Sequence, residues 1–346
     1  MKRMGVLTGG GDCPGLNAVI RAVVRKADAL GWESFGILEG WRGLLENKIE
    51  ILDLQRVSGI LYRGGTILRT SRTNPLKHPG GFELLRENVR RNSLDALIAV
   101  GGDDTLSIAD RLFQQGVPVV GVPKTIDNDL SGTDYCFGFD TAVNIATEAI
   151  DRLHTTAEAH NRIMVVEVMG RDSGWIAVAS GIAGGADAIL IPERPVDVAE
   201  VCAHLRKRHA RGKYFSIVVV AEGARLPEGN EAAAQIQQSQ FRDEFGHAQL
   251  GGVSSLLARE IEARTGFETR VVILGHIQRG GSPTAFDRIL ATRFGVKAMT
   301  LVDQGEFGKM VTLQGNQIVA VPFAEASRSP RPVDPELYRT AEVFFG

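Results

Sequence analysis

The sequence predicts an α/β protein with mainly parallel sheets, divided into two lobes. Short apolar runs alternate with amphipathic segments of helical spacing, which is typical of parallel strands joined by crossover helices. At 346 residues the chain exceeds the usual size of a single domain. Its 40 glycines suit the many tight turns that such a fold needs between strands and helices.

Composition narrows the functional classes. The formal net charge of −2 provides no overall positive field to attract nucleic acid. Cys13, Cys136 and Cys202 are too scattered for a disulfide framework or a zinc site. The N-terminal residues reach glycine before an apolar signal segment could form, and runs such as 217–221 are too short to cross a bilayer. We therefore expect a cytoplasmic protein that binds neither nucleic acid nor membranes.

The first two predicted strands lead into polar loops. Met4–Thr8 is apolar and precedes a glycine-rich stretch, 9–15, and a helix begins at Leu16. A glycine loop between a strand and a helix can hold phosphate on its backbone N–H groups, but a plain tight turn explains it equally well. The second strand, 34–38, precedes an arginine-rich loop in which Arg72 is the best candidate for an anion contact.

The stretch 95–129 predicts one strand–helix–strand unit. The apolar run Ala96–Val100 stops at two glycines, a helix follows, and a second apolar run, Val117–Val122, ends at the sequence PKTIDND. The crossover is long enough for parallel pairing, so both strands are expected to end at the same edge of one sheet.

Both of these strand ends carry acids. Asp103 and Asp104 follow the first strand, and Asp127 and Asp129 follow the second. Ligands sit beyond the carboxyl ends of parallel strands. Four carboxylates would repel a phosphate there, so a divalent cation is implied, and oxygen ligands favour Mg²⁺. One carboxylate would remain as the base for an attacking hydroxyl, as in a phosphoryl transferase. The alternative is that these residues only cap a helix and form a turn.

The second half predicts a further strand–helix series with cations around it. The predicted strands are 163–168, 188–191, 215–221 and 271–274. The cations near their ends are Arg162, Arg171, Arg270, His276 and Arg279. Such side chains can bind a phosphate that is not transferred and thereby position the reacting hydroxyl. As a set flanking the acids, they are expected to form a phosphosugar site.

The chain order predicts where the lobes divide. We expect a donor lobe of residues 1–138 plus about 278–328, and a sugar lobe of 139–277 plus the C-terminal tail. A predicted helix, 286–302, returns the chain to the first lobe. The polar, alanine- and glutamine-rich segment 226–249 is expected to be a surface insertion.

Together these segments resemble the phosphofructokinase family over essentially the whole chain. The matching segments are GVLTGGGDCPGLNA, GGDDT, PKTIDND, GTDY, HNRIMVVEVMGR, AEGAR and GHIQRGGSP, in the family's order. The resemblance implies two Rossmann-like three-layer lobes with the active site in the cleft between them. It also implies Mg²⁺-dependent phosphoryl transfer to the 1-hydroxyl of fructose 6-phosphate.

The resemblance further implies roles for individual residues. Asp127 would take the proton from that hydroxyl, and Arg171 would stabilise the phosphoryl group in transfer. Asp103 would bind the metal and Asp129 would support it. The donor would be bound by Gly11, Arg72, Gly102, Asp104, Thr105 and Lys124. The sugar phosphate would be bound by Thr125, Asp127, Arg162, Met169, Gly170, Arg171, Glu222, Arg270, His276 and Arg279. In the family, Arg162 and Arg270 reach across from a neighbouring subunit, which implies a homo-oligomer.

Two positions bear on the phosphoryl donor. ATP-using members carry glycine where this chain has Asp104, and commonly glycine where it has Lys124. A carboxylate at 104 disfavours the α-phosphate of ATP by charge and bulk, whereas Lys124 can neutralise the leaving group. Both residues therefore count as catalytic candidates. The pairing resembles the pyrophosphate-dependent branch, and we predict reversible transfer from pyrophosphate.

Other functions stay open at this point. The nearest alternative is an ATP-dependent phosphofructokinase, which position 104 discriminates. A non-catalytic phosphosugar sensor is a second alternative, and it would need no base at position 127. A dinucleotide-binding oxidoreductase is disfavoured because the sequence lacks the GxGxxG fingerprint.

Overall fold

The computed structural model describes residues 1–226, 243–246, 251–326 and 330–345. In these residues helices and strands alternate and most strand pairs are parallel, which confirms the predicted α/β class. The predicted insertion 226–249 lies outside the described residues, apart from residue 226 and 243–246. In the described ranges, no helix is both long enough and apolar enough to span a membrane.

The described residues form the following elements. The strands are β1 (Arg3–Thr8), β2 (Glu33–Ile37), β3 (Ile49–Ile51), β4 (Ala96–Gly101), β5 (Val119–Pro123), β6 (Ile163–Val168), β7 (Ala188–Leu190), β8 (Ser216–Ala221), β9 (Thr269–Ile273), β10 (Lys309–Gln314) and β11 (Gln317–Pro322). The helices are α1 (Leu16–Ala29), α2 (Gly40–Leu45), α3 (Gly81–Arg91), α4 (Asp103–Gln114), α5 (Phe139–His160), α6 (Trp175–Ala183), α7 (Val198–Ala210), α8 (Val253–Thr265), α9 (Ala285–Gln304), α10 (Phe323–Ala326) and α11 (Pro335–Glu342). Short 3-10 turns lie at Pro75–Lys77 and Gly275–Arg279.

The first sheet contains seven strands in the order β11-β10-β5-β4-β1-β2-β3. Its centre is parallel, whereas β3 and β11 pair antiparallel at the two edges. Alternate residues of β4 face two different cores: Ile98 packs in the core that includes α1 and α9, and Leu97 in the core that includes α3 and α4. Because both faces are covered, β4 and β5 are buried throughout and read as continuous apolar runs.

The second sheet contains four parallel strands in the order β7-β8-β6-β9. The helices α7 and α8 pack on one face of this sheet. On the other side, α6 packs in a larger core that contains residues of both sheets. The central strands β6 and β8 are fully buried, while β9 forms an exposed edge. The carboxyl ends of β6 and β8 lie side by side, with Val168 opposite Ala221.

The chain passes between the two sheets more than once. After β9 it enters α9, found where a helix over 286–302 was predicted, and α9 packs along α1. The chain then adds β10 and β11 to the first sheet. The last helix, α11, packs on α6 beside the second sheet. The division into domains at residues 138 and 277 stays a prediction.

Candidate active site

Three loops leave the carboxyl edge of the first sheet. They are the glycine loop (residues 9–15), the turn 101–102 and the acid loop (residues 124–134). The backbone N–H of Gly9 donates to the carbonyl of Val100 at 2.9 Å, and that of Lys124 donates to the carbonyl of Gly101 at 2.9 Å. The ends of β1, β4 and β5 therefore meet at one edge, as the strand–helix–strand pattern predicts.

Thr105 explains why two of these loops contain glycine. A Cβ on Gly9 would lie 2.5 Å from the hydroxyl oxygen of Thr105, and a Cβ on Gly101 would lie 2.4 Å from its Cβ. A larger residue at either position would push the loops away from the start of α4. Thr105, predicted to bind the donor, is only 3% exposed. In this structure its side chain packs the glycine loop against the turn that precedes α4.

Lys124 places a buried cation behind the glycine loop. The residue is 4% exposed, and its ammonium group donates to the carbonyl of Gly11. Burial lowers the pKa of this amine, and the charge of Arg279 acts in the same direction. A Cβ on Gly11 would lie 2.5 Å from the Arg279 guanidinium, so this guanidinium lies directly against the glycine loop. Two cations thus flank the same stretch of backbone, which favours an anionic ligand there.

Arg72 lies on a loop that runs beside the glycine loop. The hydroxyl of Thr70 donates to the carbonyl of Gly10 at 2.6 Å and so links the loop that carries Arg72 to the glycine loop. The guanidinium of Arg72 donates to Asp243 at 2.9 Å, so the described residues 243–246 contact this loop. The Arg72 side chain is nevertheless 47% exposed, and its charge contributes to the low pKa of Lys124. Arg72 therefore lies close to the other donor-binding candidates.

The acid loop is held in shape by its own short side chains. The hydroxyl oxygen of Thr125 accepts from the backbone N–H of Asp127 at 3.0 Å, and its O–H donates to Asp129 at 3.2 Å. Asn128 lies between the two acids in the left-handed region, at φ 53°, which asparagine tolerates better than most residues. Its amide oxygen accepts from the backbone N–H of Cys136 at 2.9 Å. Two carboxyl groups are thereby kept on one short, braced segment.

Both carboxyl groups of the acid loop are withdrawn from water. Burial raises the pKa of Asp127, and the positive charges of Arg279 and Arg171 oppose that rise. Burial and the neighbouring Asp127 raise the pKa of Asp129 to about 7. One oxygen of Asp127, Oδ1, is buried without a hydrogen-bond partner among the described residues. Such an oxygen destabilises the protein alone and is typical of a site that a ligand completes.

The carboxyl end of the second sheet carries the predicted sugar-binding residues. Met169 follows β6 and Glu222 follows β8, and the backbone N–H of Glu222 donates to the carbonyl of Val168 at 2.9 Å. Gly170 has φ 135°, a conformation that other residues rarely adopt. Burial and the charge of Asp127 raise the pKa of Glu222 to about 7. Glu222 is therefore close enough to Asp127 for their charges to interact.

The loops of the two sheets are in direct contact. The hydroxyl of Ser173 donates to the carbonyl of Asp127 at 3.2 Å, and the guanidinium of Arg279 donates to the carbonyl of Asp12 at 3.2 Å. The Nε atom of Arg171 is buried without a partner in the described part of the chain. The structure thus brings the acid loop, the glycine loop and the loop that carries Arg171 together in one cleft.

The predicted set of cations is split between the two ends of the second sheet. His276 and Arg279 lie in the 3-10 turn after β9, at the carboxyl end, and His276 is exposed. Arg162 precedes β6, and Arg270 is the second residue of β9, so both lie at the amino end. A strand of six residues separates the two ends by about 20 Å. The expectation that all five cations flank the acids is therefore wrong within one chain.

The arginines at the amino end have a partner of their own. Arg162 pairs with Glu268 at 2.8 Å, and Arg270 pairs with the same carboxylate. Their side chains are 28% and 50% exposed, respectively. They can reach a sugar phosphate only if a neighbouring chain presents its own cleft to them, which is the arrangement that the family resemblance implies.

The residues predicted to hold a metal offer carboxylate oxygens at the ends of β4 and β5. Asp103 is exposed and opens α4, next to Asp104 and after Gly102, and Asp129 lies in the acid loop. In the described ranges, no cluster of three or more His, Cys, Asp or Glu side chains could hold an ion alone. Mg²⁺ usually takes one or two carboxylates and completes its shell with water and substrate phosphates. The exposed carboxylate of Asp103 and the acid loop, in which Oδ1 of Asp127 has no partner among the described residues, fit that chemistry.

Two further residues act at the site without having been predicted individually. Gln278 is fully buried; its Oε1 accepts from the backbone N–H of Met169 at 3.3 Å, and its Nε2 donates to the carbonyl of Gly275 at 3.0 Å. Ser173 joins the two sheets as described above. Gln278 lies inside the segment GHIQRGGSP, which carries the family resemblance, and Ser173 lies two residues after the segment that ends at Arg171. An uncharged side chain offers no separate signal for phosphate chemistry, so only its position in the segment could have indicated it.

Comparison with known proteins finds relatives of one family that align over nearly the full chain. The model of the family described as phosphofructokinase matches residues 3–302. A protein of Amycolatopsis methanolica named pyrophosphate–fructose 6-phosphate 1-phosphotransferase is 59% identical over 345 residues, 99% of this chain and 100% of that protein. A Mycobacterium leprae protein named ATP-dependent 6-phosphofructokinase is 51% identical over 346 residues, with coverage of 99% and 100%. The crystal structure of a pyrophosphate-dependent phosphofructokinase from Nitrosospira multiformis aligns with a TM-score of 0.83 at 20% identity, covering 100% of this chain and 92% of that one, and shares the fold.

Proposed function

The chain belongs to the phosphofructokinase family, and we propose that it transfers a phosphoryl group reversibly from pyrophosphate to the 1-hydroxyl of fructose 6-phosphate. The products are fructose 1,6-bisphosphate and phosphate. One observation carries the proposal: the desolvated carboxyl group of Asp127, with one oxygen unpartnered, lies under the charges of Arg171, Arg279 and Lys124. That arrangement suits a base that works on a hydroxyl beside a phosphoryl group.

Asp127 acts as the base in this proposal. Its carboxylate takes the proton of the 1-hydroxyl while the hydroxyl oxygen attacks phosphorus and the bond from phosphorus to the bridging oxygen of pyrophosphate breaks. A pKa raised by burial makes the carboxylate a better proton acceptor near neutral pH. Arg171 stabilises the negative charge of the phosphoryl group in transfer. Ser173 keeps the acid loop against the segment that carries Arg171.

Lys124 and Asp104 select the donor. Lys124 is poorly hydrated because it is buried, so its charge interacts strongly with a departing phosphate. Gly11, Gly102 and Arg72 complete the donor site, and Asp104 repels the additional phosphate and nucleoside of ATP. Mg²⁺, held by Asp103 with support from Asp129, supplies charge neutralisation for the donor phosphates. The relative named for pyrophosphate is 59% identical and the one named for ATP is 51%, which supports this choice of donor.

The sugar phosphate is held mainly by the second sheet. Glu222 binds sugar hydroxyls beside Met169 and Gly170, and Thr125 contributes from the acid loop. The 6-phosphate is bound by His276 and Arg279 of one chain and by Arg162 and Arg270 of a neighbouring chain. We therefore propose a homo-oligomer with active sites shared across an interface. Since phosphorylated sugars do not cross membranes unaided, we place the reaction in the cytoplasm.

The donor assignment is tested by measuring fructose 1,6-bisphosphate formation from fructose 6-phosphate and Mg²⁺, with pyrophosphate and ATP in parallel. We expect turnover with pyrophosphate and at least about 100-fold less with ATP, because the carboxylate at position 104 opposes an additional phosphate by charge and bulk. The variant Asp104→Gly with Lys124→Gly is expected to gain ATP use and lose pyrophosphate use. Asp110→Gly, in the same helix but outside the loops, is the control and should keep the donor preference.

The outcomes separate the alternative functions. Turnover of the unaltered protein with ATP in place of pyrophosphate would keep the sugar site and refute the assignment of Asp104 and Lys124. Turnover with neither donor, together with retained fructose 6-phosphate binding, would favour the phosphosugar sensor. Lys124→Met keeps most of the buried volume but removes the charge, so it should lose pyrophosphate use without gaining ATP use.

A further inference from the structure

The C-terminal tail contacts the acid loop directly. The backbone N–H of Arg331 donates to the carbonyl of Asp129 at 2.6 Å. Its guanidinium Nη1 donates to the carbonyls of Thr133 and Asp134 at 2.6 and 2.7 Å. These carbonyls belong to the segment that carries Asp127, and Arg331 lies almost 200 positions further along the chain, 198 from Thr133. One tail residue thus braces the acid loop from its far side.

The same arginine contacts the loop that carries Arg171. Its guanidinium lies over the ring of Trp175, with Cζ 4.4 Å from the centroid, and the Trp175 indole N–H donates to the carbonyl of Arg331 at 3.1 Å. Trp175 is the first residue of α6, directly after the segment 169–174. Arg331 therefore joins the acid loop of the first sheet to the Arg171 loop of the second.

A second tail contact fixes the geometry around this junction. Glu193 accepts from the backbone N–H of Val333 at 2.9 Å and from that of Gly174 at 3.1 Å. The tail is consequently attached to the Arg171 loop at Arg331 and again two residues later, at Val333. A displacement of the tail would be transmitted to both loops, because its backbone bonds directly to Asp129 and, through Glu193, to Gly174.

We infer that Arg331 is a positioning residue, which holds the acid loop at a fixed distance from the Arg171 loop; this rests on the proposed role of Asp127 as the base. Its bonds run to backbone carbonyls, so it touches neither substrate nor a reacting atom. Phosphoryl transfer depends on placement more than on covalent help from the protein, so a loop displaced by about 1 Å is expected to slow the transfer by up to about 100-fold.

The test compares Arg331→Ala, Arg331→Lys and a matched control, Arg194→Ala. Arg194 also anchors the tail: it pairs with Glu342 at 2.5 Å and lies 4.2 Å from the ring of Tyr338, but it makes no described contact with the acid loop. We expect Arg331→Ala to lower kcat by about 10- to 100-fold, with KM values changed by less than about 3-fold. Arg331→Lys keeps the charge and should retain more of kcat than Arg331→Ala does. Guanidinium added to Arg331→Ala, at a concentration that leaves the protein folded, should restore part of kcat.

A further readout separates positioning from general stability. Hydrogen–deuterium exchange should become faster in the peptide 124–136 of Arg331→Ala, and not in that of Arg194→Ala.

The inference is overturned if Arg331→Ala keeps kcat within about 2-fold of the unaltered protein, or if Arg194→Ala loses as much. Unchanged exchange in the peptide 124–136 would overturn it as well, and that measurement requires no turnover. If the unaltered protein transferred no phosphoryl group from either donor, the proposed function would fail, while the exchange data would still decide whether Arg331 braces the acid loop.

Discussion

Two charged clusters that the sequence assigns to one site differ in how their charge is accommodated. In the acid loop, burial raises the pKa values of Asp127 and Asp129, and Oδ1 of Asp127 has no partner among the described residues. At the amino end of the second sheet, Arg162 and Arg270 share Glu268, and the hydrogen bond from Arg162 lowers the pKa of that carboxyl group. The acid loop is destabilised mainly by the burial of its carboxyl groups, whereas the two arginines share one carboxylate and keep a net positive charge.

The difference separates a reacting centre from a binding surface. Carboxylates withdrawn from water gain the most when a cation or a hydroxyl arrives, since they have little hydration to lose. Arg162 and Arg270 are partly exposed and pair with a carboxylate, so they can exchange that partner for a phosphate. The comparison therefore assigns chemistry to the acid loop and assembly-dependent binding to the amino end of the second sheet.

The largest expected effect comes from removing the desolvated base. Asp127→Asn preserves shape but cannot accept the proton, and we expect kcat to fall by about 10³-fold, within the usual range for a general base. Fructose 6-phosphate binding, measured by calorimetry, should change by less than about 5-fold because the hydrogen-bonding shape is kept. Asp110→Asn on α4 is the control and should leave kcat unchanged. Unchanged turnover in Asp127→Asn would remove the acid loop from the chemistry.

The second prediction concerns Arg162 and Arg270, the arginines that share Glu268. Arg162→Ala should raise the KM for fructose 6-phosphate by about 10-fold or more, the value of one charge-assisted bond, and should change kcat little. At fructose 6-phosphate concentrations well below the raised KM, chains carrying Arg162→Ala mixed with chains carrying Asp127→Asn should show more activity than the sum of the two parents, since some hybrid sites would contain both intact residues. Arg208→Ala, a similarly half-buried arginine paired with Asp187 at 3.0 Å, is the control.

The hybrids decide how the site is built. Activity of the mixture above the sum of the two parents would support sites shared between chains. A mixture no more active than its parents, in chains shown to exchange subunits, would refute the assignment of Arg162 to a neighbour's cleft. The arginines at the amino end of the second sheet would then have no part in the sugar-phosphate site at its carboxyl end.

The smallest effect is one of stability, and it differs in sign between Glu222 at the carboxyl end of the second sheet and Glu268 at its amino end. Glu222 has a pKa raised to about 7 by burial, so its stabilising contribution is complete below about pH 4.5 and is lost as pH rises through about 7. Glu222→Gln removes that loss and should increase the free energy of unfolding by about 1–3 kcal/mol near pH 8, with no gain near pH 4.5.

Glu268→Gln supplies the opposite case. The hydrogen bond from Arg162 lowers the pKa of Glu268, so its contribution is present above the ordinary glutamate range and is lost as pH falls through the lowered value. This variant should therefore lower the melting temperature near pH 8 and lose its effect in acid. Melting curves of both variants across pH would check the contrast, and shifts of the same sign would contradict it.

Much of the fold could be predicted because buried parallel strands read directly from the sequence. The run 163–168 coincides with β6, and β4, α4 and β5 appear where the glycines and the first acids indicate them. A strand covered on both faces must be continuously apolar, and a glycine-rich turn must follow it, so the pattern is local. The grouping of Asp127 and Lys124 with the acids after β4 follows from the parallel connection alone, whereas the position of Gly11 depends on the pairing of β1 with β4.

The remaining features depend on contacts that no local pattern contains. The edge strands β3 and β11 are only partly buried, so their apolar pattern is weak and they were not predicted. Arg331 bonds to residues far earlier in the chain and resembles any other tail arginine in sequence. Arg162 and Arg270 were grouped with Arg171 because all flank strands, yet a residue that precedes a parallel strand lies at the opposite edge from one that follows it.

The order of strands in the first sheet also affects how the protein is made. Because β10 pairs with β5 but follows β9 in the chain, β5 has no neighbour on that side until residues 309–314 have been synthesised. During that interval the second sheet can complete itself while an apolar strand edge of the first stays uncovered, a template for pairing with other nascent chains. The sheet that β1 starts is therefore completed only after the described strands of the second sheet have been synthesised.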